Sequence, residues 1–492
     1  MSVTSTAVPS RLRSRRGSRS GGGVLAVASV TQFMVVLDVT IINVALPQMR
    51  AALQMSTNGQ QWVVNAYALT FAGFLMLGGR AADLFGRKRV FLIGLAAFTL
   101  FSFLGGLAHT GGQLIAARAA QGVGGAILAP ASLSLLTATF TEPHERRRAL
   151  GVWSATAGSG AAGGLVAGGV LTDLIGWRWV LFVNVPVGIA LFAVALLSLA
   201  ESTGQLERRT LDLAGAATVT AGTATLVYGI VGTDSYPWGS VRTLGTIGAG
   251  LLMLALFVGI EARGAANPIV PLRTFRRRSL SVANLLATTV GVVVFGTYFF
   301  VSLYLQQVKH YSPLQAGLAF LPIGVLTLAG ALLASRLVRR IGIRRQLVLG
   351  PLLGAVATFV MSAITPGSGY ATALLIPLLV AGFGIGLTFV PMTMAATMGV
   401  PPHEAGLASG LINTSRQLGG ALGLAALTTI SATAAKGRLA HGGTVAAALT
   451  HGYGRALLIV GVVSVAGALS ALFLGDSVEL PPADTNSLRS QS

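Results

Sequence analysis

Two charged residues lie inside apolar stretches of the sequence, where charge is otherwise rare. Asp38 is in VVLDVTIINVALP (residues 35–47), and Arg118 begins RAAQGVGGA (118–126), with Gln121 one helical turn later on the same face. A charged side chain at bilayer depth costs about 2.5–3.5 kcal/mol on insertion scales and usually marks a functional site. Because burial disfavours the charged form of a carboxyl group, Asp38 is a candidate for taking up and releasing a proton.

Both residues also allow a simpler interpretation. Asp38 could make a structural hydrogen bond to Thr31 or Asn43, and Arg118 could be a helix-end arginine whose head group reaches the membrane interface. An ion pair between Asp38 and Arg118 would favour the charged carboxylate and oppose proton uptake. The sequence leaves these alternatives open.

The composition indicates that membrane helices must position these residues. Of 492 residues, 53% are hydrophobic and 10% are charged, and the mean hydropathy is +0.75. An average soluble protein has roughly 25% charged residues. Apolar runs close to the length needed to cross a bilayer, about 20 residues, predict fourteen spans. Their approximate bounds are 24–46, 60–79, 90–108, 113–137, 149–172, 179–199, 212–233, 243–261, 281–306, 313–335, 346–364, 370–391, 405–430 and 455–475.

The basic residues behind the net charge of +20 are concentrated in alternate loops between the predicted spans. Of the 34 lysines and arginines, 25 fall in one set of alternate loops and tails and 7 in the other, with Arg118 and Arg416 inside spans. This asymmetry is the positive-inside rule, and it predicts a multi-pass cell-membrane protein with both termini in the cytoplasm and an uncleaved first span. It also explains the basic charge without nucleic-acid binding.

An internal repeat predicts two homologous halves. PHE occurs at 143–145 and 402–404, and the same offset relates Gly151, Gly160 and Gly164 to Gly410, Gly419 and Gly423. Transporters are often built from such halves. We predict a cytoplasmic basic tail (1–23), an N-terminal six-helix half (24–200), an inserted helix pair with a cytoplasmic loop (201–280), a C-terminal six-helix half (281–475) and a cytoplasmic tail (476–492).

A basic loop between spans 2 and 3, GGRAADLFGRKR (78–89), is a candidate for gating. Gly86 permits a tight turn, the basic residues hold the loop in the cytoplasm, and Asp83 can accept hydrogen bonds or pair with an arginine. An ordinary basic turn is the alternative. The six positions that carry the pattern are Gly79, Asp83, Gly86, Arg87, Lys88 and Arg89.

These motifs together resemble those of one transporter family. The loop at 78–89 resembles the signature G-x-x-x-D-x-x-G-R-[KR]-[KR] of the major facilitator superfamily. LDVTIINVALP (37–47), QWVVNAYALT (61–70), WRWVLFVNVPVG (177–188) and GLINTSRQLGGALG (410–423) resemble the superfamily's 14-helix drug:proton antiporters of the EmrB/QacA type. The resemblance implies an all-α integral membrane fold with fourteen helices, and a role for Arg118 in proton coupling or in locking the helices.

Span 5 carries glycines on one face. Gly160, Gly164 and Gly168 recur every fourth residue and Gly169 follows, which allows a neighbouring helix to approach closely. The stripe resembles the family's antiporter motif, but Leu165 stands where a proline is usual. Plain packing is the alternative, and the effect of Leu165 on the direction of transport is open.

The resemblance implies a cavity lined by spans 1, 4, 9 and 12, entered from the cytoplasm or the inner leaflet. Its aromatic side chains would fit lipophilic compounds and a carboxylate would favour cationic ones, although aromatics in spans usually serve packing. Arg416 could be structural instead. The candidate residues are Phe33, Gln121, Tyr298, Phe299, Phe383 and Arg416.

These features predict a proton-driven exporter of lipophilic, cationic drugs that works by alternating access. None of the three lysines lies in a phosphate-binding loop, so ATP is not the expected driver; no enzyme activity, cofactor, disulfide or metal is predicted, and the chain has no cysteine. The expected partners are small molecules, protons and the bilayer, with no obligatory protein partner. The alternatives are a dedicated exporter of one endogenous metabolite or self-made antibiotic, and a membrane sensor or scaffold that does not transport.

Overall fold

A computed structural model describes residues 11–201, 212–232, 236–264, 268, 270, 272–398, 400 and 405–474. The second PHE motif (402–404) and the predicted C-terminal tail (476–492) lie outside these residues. For some residues in these ranges the structure describes the backbone and not the side chain. They are residues 11–20 and 405–407, and Thr57, Asp83, Pro143, Arg147, Ser154, Ala157, Gly158, Ala161 and Ala162.

All regular structure in the described residues is helical. The α-helices are α1 (Arg11–Ala52), α2 (Thr57–Phe85), α3 (Arg87–Gly106), α4 (Gly111–Thr139), α5 (Pro143–Leu174), α6 (Trp179–Phe182), α7 (Asn184–Ser198), α8 (Leu213–Gly232), α9 (Val241–Gly259), α10 (Arg278–Leu303), α11 (Pro313–Ala319), α12 (Leu321–Ser362), α13 (Ile376–Thr397), α14 (Ala405–Ala440) and α15 (Val445–Ala471). Short π-helical turns are found at Ile260–Gly264, Tyr304–Val308 and Ala371–Leu375, and a 3-10 turn at Leu272–Arg276.

Twelve helical stretches of the described residues are long and apolar enough to cross a membrane. The count differs from the predicted fourteen for two reasons. One stretch, Pro313–Ser362, is 50 residues long and holds two predicted spans on either side of Gly342, whose φ of 81° and ψ of 162° are not helical. The predicted span 149–172 lies in α5, where Gly163–Leu174 is the shorter apolar part.

The chain forms two compact units. The first comprises Met1–Gly229, Leu244–Ile269 and His310–Leu321, and the second comprises Ile230–Thr243, Val270–Lys309 and Pro322–Ser492. Most of the predicted inserted pair, α8 and α9, therefore packs within the first unit. So does the short helix α11, whereas α12 belongs to the second unit.

In the first unit, glycines bring α5 against α1 and α4 against α2. A Cβ atom built on Gly168 would lie 2.7 Å from the carbonyl oxygen of Ile41, and one built on Gly122 would lie 2.6 Å from that of Tyr67. No side chain larger than hydrogen fits at such distances, so the backbones meet directly. These contacts hold α1, which carries Asp38, against α5, and α4, which carries Arg118, against α2.

The start of α4 is set by a reciprocal cap. The Thr110 hydroxyl accepts the backbone N–H of Gln113 at 3.3 Å, and the Gln113 side chain accepts the backbone N–H of Thr110 at 3.3 Å. This capping box satisfies donors that the first turn leaves free. It fixes the register of α4 about two turns before Arg118.

In the second unit, α14 packs on α10 and α13 packs on α12 by the same device. A Cβ atom built on Gly419 would lie 2.8 Å from the Cα atom of Thr288, and one built on Gly330 would lie 2.6 Å from the carbonyl oxygen of Phe383. Of the glycines related by the repeat, Gly160 and Gly164 contact α1 and their counterparts Gly419 and Gly423 contact α10, whereas Gly151 has no neighbour within 4 Å.

Candidate functional site

Asp38 is at the centre of a buried polar network in the first unit. Its side chain is fully buried, with 0% exposure. Arg118 Nη1 donates to Asp38 Oδ2 at 2.6 Å, Gln121 Nε2 donates to Oδ1 at 2.9 Å, and Asn184 Nδ2 donates to Oδ1 at 2.8 Å. One carboxylate thus ties α1 to both α4 and α7. A buried charge is tolerated when it is paired and hydrogen-bonded in this way.

Arg118 is held on several sides. Nη1 also donates to Gln121 Oε1 at 2.6 Å, and Nε donates to the carbonyl oxygen of Val63 at 3.4 Å. The guanidinium carbon lies 4.3 Å from the centre of the Tyr67 ring, within the range of a cation–π contact. With 2% of its side chain exposed, Arg118 does not reach the interface, so the helix-end interpretation is wrong for this arrangement.

The hydrogen bonds shown for Asp38 come from residues other than Thr31 and Asn43. Asn43 Nδ2 donates to the carbonyl oxygens of Val39 and Thr40, within its own helix. The hydroxyl of Thr31 has no hydrogen-bond partner among the described residues. The partners of Asp38 instead come from two other helices.

Sequence reasoning missed Asn184 and Ser102. Asn184 is 1% exposed and its Nδ2 donates to Ser102 Oγ at 3.1 Å as well as to Asp38, while Ser102 Oγ donates to the carbonyl oxygen of Leu181 at 2.8 Å. Asn184 lies in WRWVLFVNVPVG (177–188), a segment used above only for its resemblance to the drug:proton antiporters. A polar amide side chain inside this apolar segment was the feature that could have indicated a buried hydrogen bond.

Residues 78–89, predicted to form a loop, are the last turns of α2, Gly86 and the first residues of α3, whose start is capped. Gly86 has φ of 104°, a left-handed conformation that favours glycine. The Glu201 carboxylate accepts the backbone N–H groups of Lys88 and Arg89, each at 3.2 Å, and lies 3.6 Å from Arg89 Nε. Lys88 Nζ donates to the carbonyl oxygen of Leu196 at 2.8 Å.

Glu201 was not predicted, and it satisfies the free donors and the positive end of α3. Of the other predicted positions in this loop, Gly79 faces Pro130 of α4, at 3.5 Å from a built Cβ atom. Arg87 is the first residue of α3. The side chain of Asp83 lies outside the described residues, so its pairing stays a prediction.

The predicted glycine stripe divides between two neighbours. Gly160, Gly164 and Gly168 face α1, whereas a Cβ atom built on Gly169 would lie 2.6 Å from the carbonyl oxygen of Pro313 in α11. At the end of this seam Ser312 Oγ donates to Asp173 Oδ2 at 3.2 Å. Leu165, at the position of the missing proline, is 1% exposed within the helix.

The predicted cavity residues fall into two groups. Phe33 in the first unit and Tyr298, Phe383 and Arg416 in the second are partly exposed. Gln121 is fully buried in the Asp38 network, and Phe299 is 2% exposed with its ring edge-on to Phe300. In this arrangement Gln121 and Phe299 do not offer surface to a substrate.

Comparison with known proteins identifies the family. The family model described as Major Facilitator Superfamily matches residues 28–424. The chain is 41% identical to the cephamycin export protein CmcT of Amycolatopsis lactamdurans, over 90% of each chain, and 40% identical to the puromycin resistance protein pur8 of Streptomyces alboniger, over 92% of each.

Two solved transporter structures share the fold. One is a bacterial homologue of the human lysosomal transporter Spinster, inward-facing and unoccupied, with a TM-score of 0.66, 17% identity and coverage of 94% of this chain and 99% of that chain. The other is an auto-inhibited POT family peptide transporter, with a TM-score of 0.67, 15% identity and the same two coverages. With its motifs, its helices and these relatives, the chain belongs to the major facilitator superfamily.

Proposed function

We propose that this protein is a proton-coupled secondary transporter that exports lipophilic drugs or antibiotics by alternating access. The buried contact between Asp38 and Arg118, 2.6 Å long, is the observation that carries the proposal. Named relatives support the substrate class, because they are called a cephamycin export protein, a puromycin resistance protein and a tetracenomycin C resistance and export protein.

The coupling step follows from the chemistry of the pair. An ionised Asp38 holds Arg118, Gln121 and Asn184 together through charge-assisted hydrogen bonds. A proton on Asp38 removes the negative charge, so the ion pair and its helix contacts weaken, and α1 is released from α4 and α7. Loss of the proton restores them. Occupancy of one proton thereby biases two arrangements of the same helices.

A proton gradient provides enough free energy for this cycle. Moving one charge across 100 mV is worth about 2.3 kcal/mol, which corresponds to more than tenfold accumulation per proton. The cycle needs no bound cofactor. Export requires that Asp38 exchange its proton with opposite sides of the membrane in the two arrangements.

The charge preference of the substrate depends on whether a carboxylate faces it. The sequence predicts that a carboxylate in the cavity favours cationic compounds. Asp38 is 0% exposed and already has a cation beside it, so this arrangement gives no reason to expect that preference.

We propose that the chain crosses the membrane fourteen times with both termini in the cytoplasm, as the drug:proton antiporters of the EmrB/QacA type would. Counting Pro313–Ser362 as two spans broken at Gly342, and adding α5, raises the twelve stretches to fourteen. The positive-inside distribution of basic residues supports the orientation.

A dedicated exporter of one compound is the second candidate. CmcT and the tetracenomycin protein carry the name of a single compound, whereas Stp of Mycobacterium tuberculosis, 36% identical, is called a multidrug resistance protein. The test is growth of a drug-sensitive bacterial host that expresses the chain, across a broad antibiotic panel, with Asp38→Asn as the matched control.

Protection against several unrelated compounds that is lost in Asp38→Asn supports a multidrug exporter. Protection against one compound class favours the dedicated exporter. No protection against any compound, with the protein present in the membrane, contradicts the proposal and favours a sensor or scaffold.

A further inference from the structure

Arg416 is a second membrane-embedded arginine whose surroundings differ from those of Arg118. It lies in α14, eleven residues after Ala405, which places it about 16 Å along the helix axis. Its side chain is half-buried. An arginine at such depth is costly unless something compensates its charge.

Most of the hydrogen-bonding capacity of Arg416 is unused. A guanidinium has five N–H donors. Among the described residues, Nη2 donates to Asn413 Oδ1 at 3.1 Å, and Nε is buried without an acceptor. Arg118, in contrast, is bonded to a carboxylate, an amide and a backbone carbonyl.

The surrounding sequence offers Arg416 hardly any counter-charge. Between Glu261 and Asp476 the chain has a single acidic residue, Glu404, which precedes α14. No carboxylate pairs with Arg416 in the described part of the chain. In the described part of the chain the charge of Arg416 thus has no compensating anion, and the carboxylate of a ligand would supply one.

The group beside Arg416 is apolar and aromatic. The guanidinium carbon lies 5.3 Å from the centre of the Phe389 ring, and Phe389 is itself partly exposed. A planar guanidinium fork matches a carboxylate in two parallel hydrogen bonds, and a ring beside it suits an apolar body.

We propose that Arg416 binds the carboxylate of an amphiphilic acid substrate, with Phe389 against the apolar body. The inference rests on the proposed function and specifies its substrate class as carboxylate-bearing compounds. Asn413 holds the guanidinium in place through Nη2 and leaves the N–H groups of Nη1 and the second N–H of Nη2 for the ligand.

The test is equilibrium binding of each probe to the full chain in neutral phosphatidylcholine nanodiscs. Binding is measured by the quenching of tryptophan fluorescence. The probes are fusidic acid, nalidixic acid and mupirocin, each paired with its methyl ester. The variants are Arg416→Gln and Arg416→Lys, with Arg455→Gln as the matched control, because Arg455 is an exposed arginine of the same unit.

We expect at least one acid to bind the parent more tightly than its ester. Arg416→Gln should weaken that acid about tenfold or more, as expected for loss of a charge-assisted hydrogen bond, and leave the ester unchanged. Arg416→Lys should retain part of the preference, and Arg455→Gln all of it. Thermal unfolding should be no earlier in Arg416→Gln, since the variant removes an unpaired charge.

Three results would overturn the proposal. One is equal binding of every acid and its ester to the parent, and another is an equal loss of acid and ester in Arg416→Gln. The third is a change in binding by Arg416→Gln that is seen only in nanodiscs with anionic phosphatidylglycerol and is equal for acid and ester. That result would mean that Arg416 binds a lipid headgroup.

A parallel assay of transport under an imposed pH gradient separates this inference from the proposed function. Acid-selective binding without transport contradicts the proposed function alone. Transport without any acid preference contradicts the Arg416 site alone.

Discussion

Asp38 and Arg118 act as a unit, because removal of either side chain leaves the charge of the other buried and uncompensated. Removing one member of a buried pair typically costs about 3–5 kcal/mol, whereas replacing both by neutral groups is often close to neutral. The pair can therefore be tested separately for its contributions to stability and to transport.

We expect Asp38→Asn and Arg118→Gln each to lower the free energy of unfolding, and the double variant to be more stable than either single one. None of the three should transport under a pH gradient, because none has an ionisable carboxyl group paired with a cation. Thermal unfolding in detergent and uptake into proteoliposomes measure the two effects. Additive losses of stability, or transport by the double variant, would contradict the account.

Asn184 is expected to position the Asp38 carboxylate. Asn184→Ala removes one of its three hydrogen-bond donors, and a bond to a charged group contributes about 1.5–3 kcal/mol. The variant should therefore show weaker pH-driven transport. Ser102→Ala is the matched control, because it removes the bond behind Asn184 and leaves all three donors on Asp38.

If Ser102→Ala impairs transport as much as Asn184→Ala does, the effect comes from general packing and the positioning role is wrong. At this scale charge singles out Asp38 and Arg118, and the structure brings these two together. Gln121 was predicted to line the cavity and instead belongs to the Asp38 network. The sequence could not predict Asn184, which meets Asp38 from 146 positions away. Only the packing of α7 on α1 brings the two together.

Among the elements, α5 depends on the absence of side chains along one face. Gly168→Ala would place a Cβ atom 2.7 Å from the carbonyl oxygen of Ile41 and should destabilise the protein by about 1–3 kcal/mol. Gly151→Ala in the same helix meets nothing within 4 Å. It should be neutral or stabilising, because alanine is the better helix former.

Thermal unfolding of the two variants measures this difference. Equal shifts would mean that the stripe does not set the contact between α5 and α1. The repeat of glycines every fourth residue was enough to predict which face is small. It did not predict that Gly169 turns to α11, since that contact depends on a short helix after Ser312.

The start of α3 depends on Glu201, which the sequence did not single out because it lies over 110 residues from the backbone groups that it caps. Glu201→Gln keeps an acceptor oxygen but loses the charge at the helix N-terminus. We expect a loss of stability of no more than about 1 kcal/mol, given the exposure of the pair, and a partial loss of transport. Protease cleavage within residues 78–89 would show whether the start of α3 loosens. Unchanged cleavage together with unchanged transport would contradict the capping role of Glu201.

For the whole molecule, topology is the prediction that the sequence supports most directly. The chain has no cysteine, so single cysteines report position without background. Ser240→Cys and Ser368→Cys should react with an impermeant maleimide on intact cells, and His144→Cys only after permeabilisation. The opposite labelling pattern would contradict the orientation, and equal labelling of Ser240→Cys and His144→Cys would contradict the span count.

Helix number was hard to predict, because Gly342 joins two spans into one long helical stretch and the glycine-rich α5 has an apolar part of only Gly163–Leu174. The orientation rests on the same count, because a missed span would move every later loop to the other side of the membrane. Orientation therefore stays a prediction. The substrate is the property least accessible from sequence, since it is set by which side chains remain exposed after packing.

The central claim is that drug movement and proton movement are coupled through Asp38. It is tested most directly by reconstituting the full chain in proteoliposomes that contain a pH-sensitive dye. The drug is a compound against which the chain protects the host in the growth panel. The account predicts that an acidic lumen drives the drug inward, that a drug gradient drives protons the opposite way, and that Asp38→Asn abolishes both. Drug transport without proton movement, or transport that is unchanged in Asp38→Asn, would contradict it.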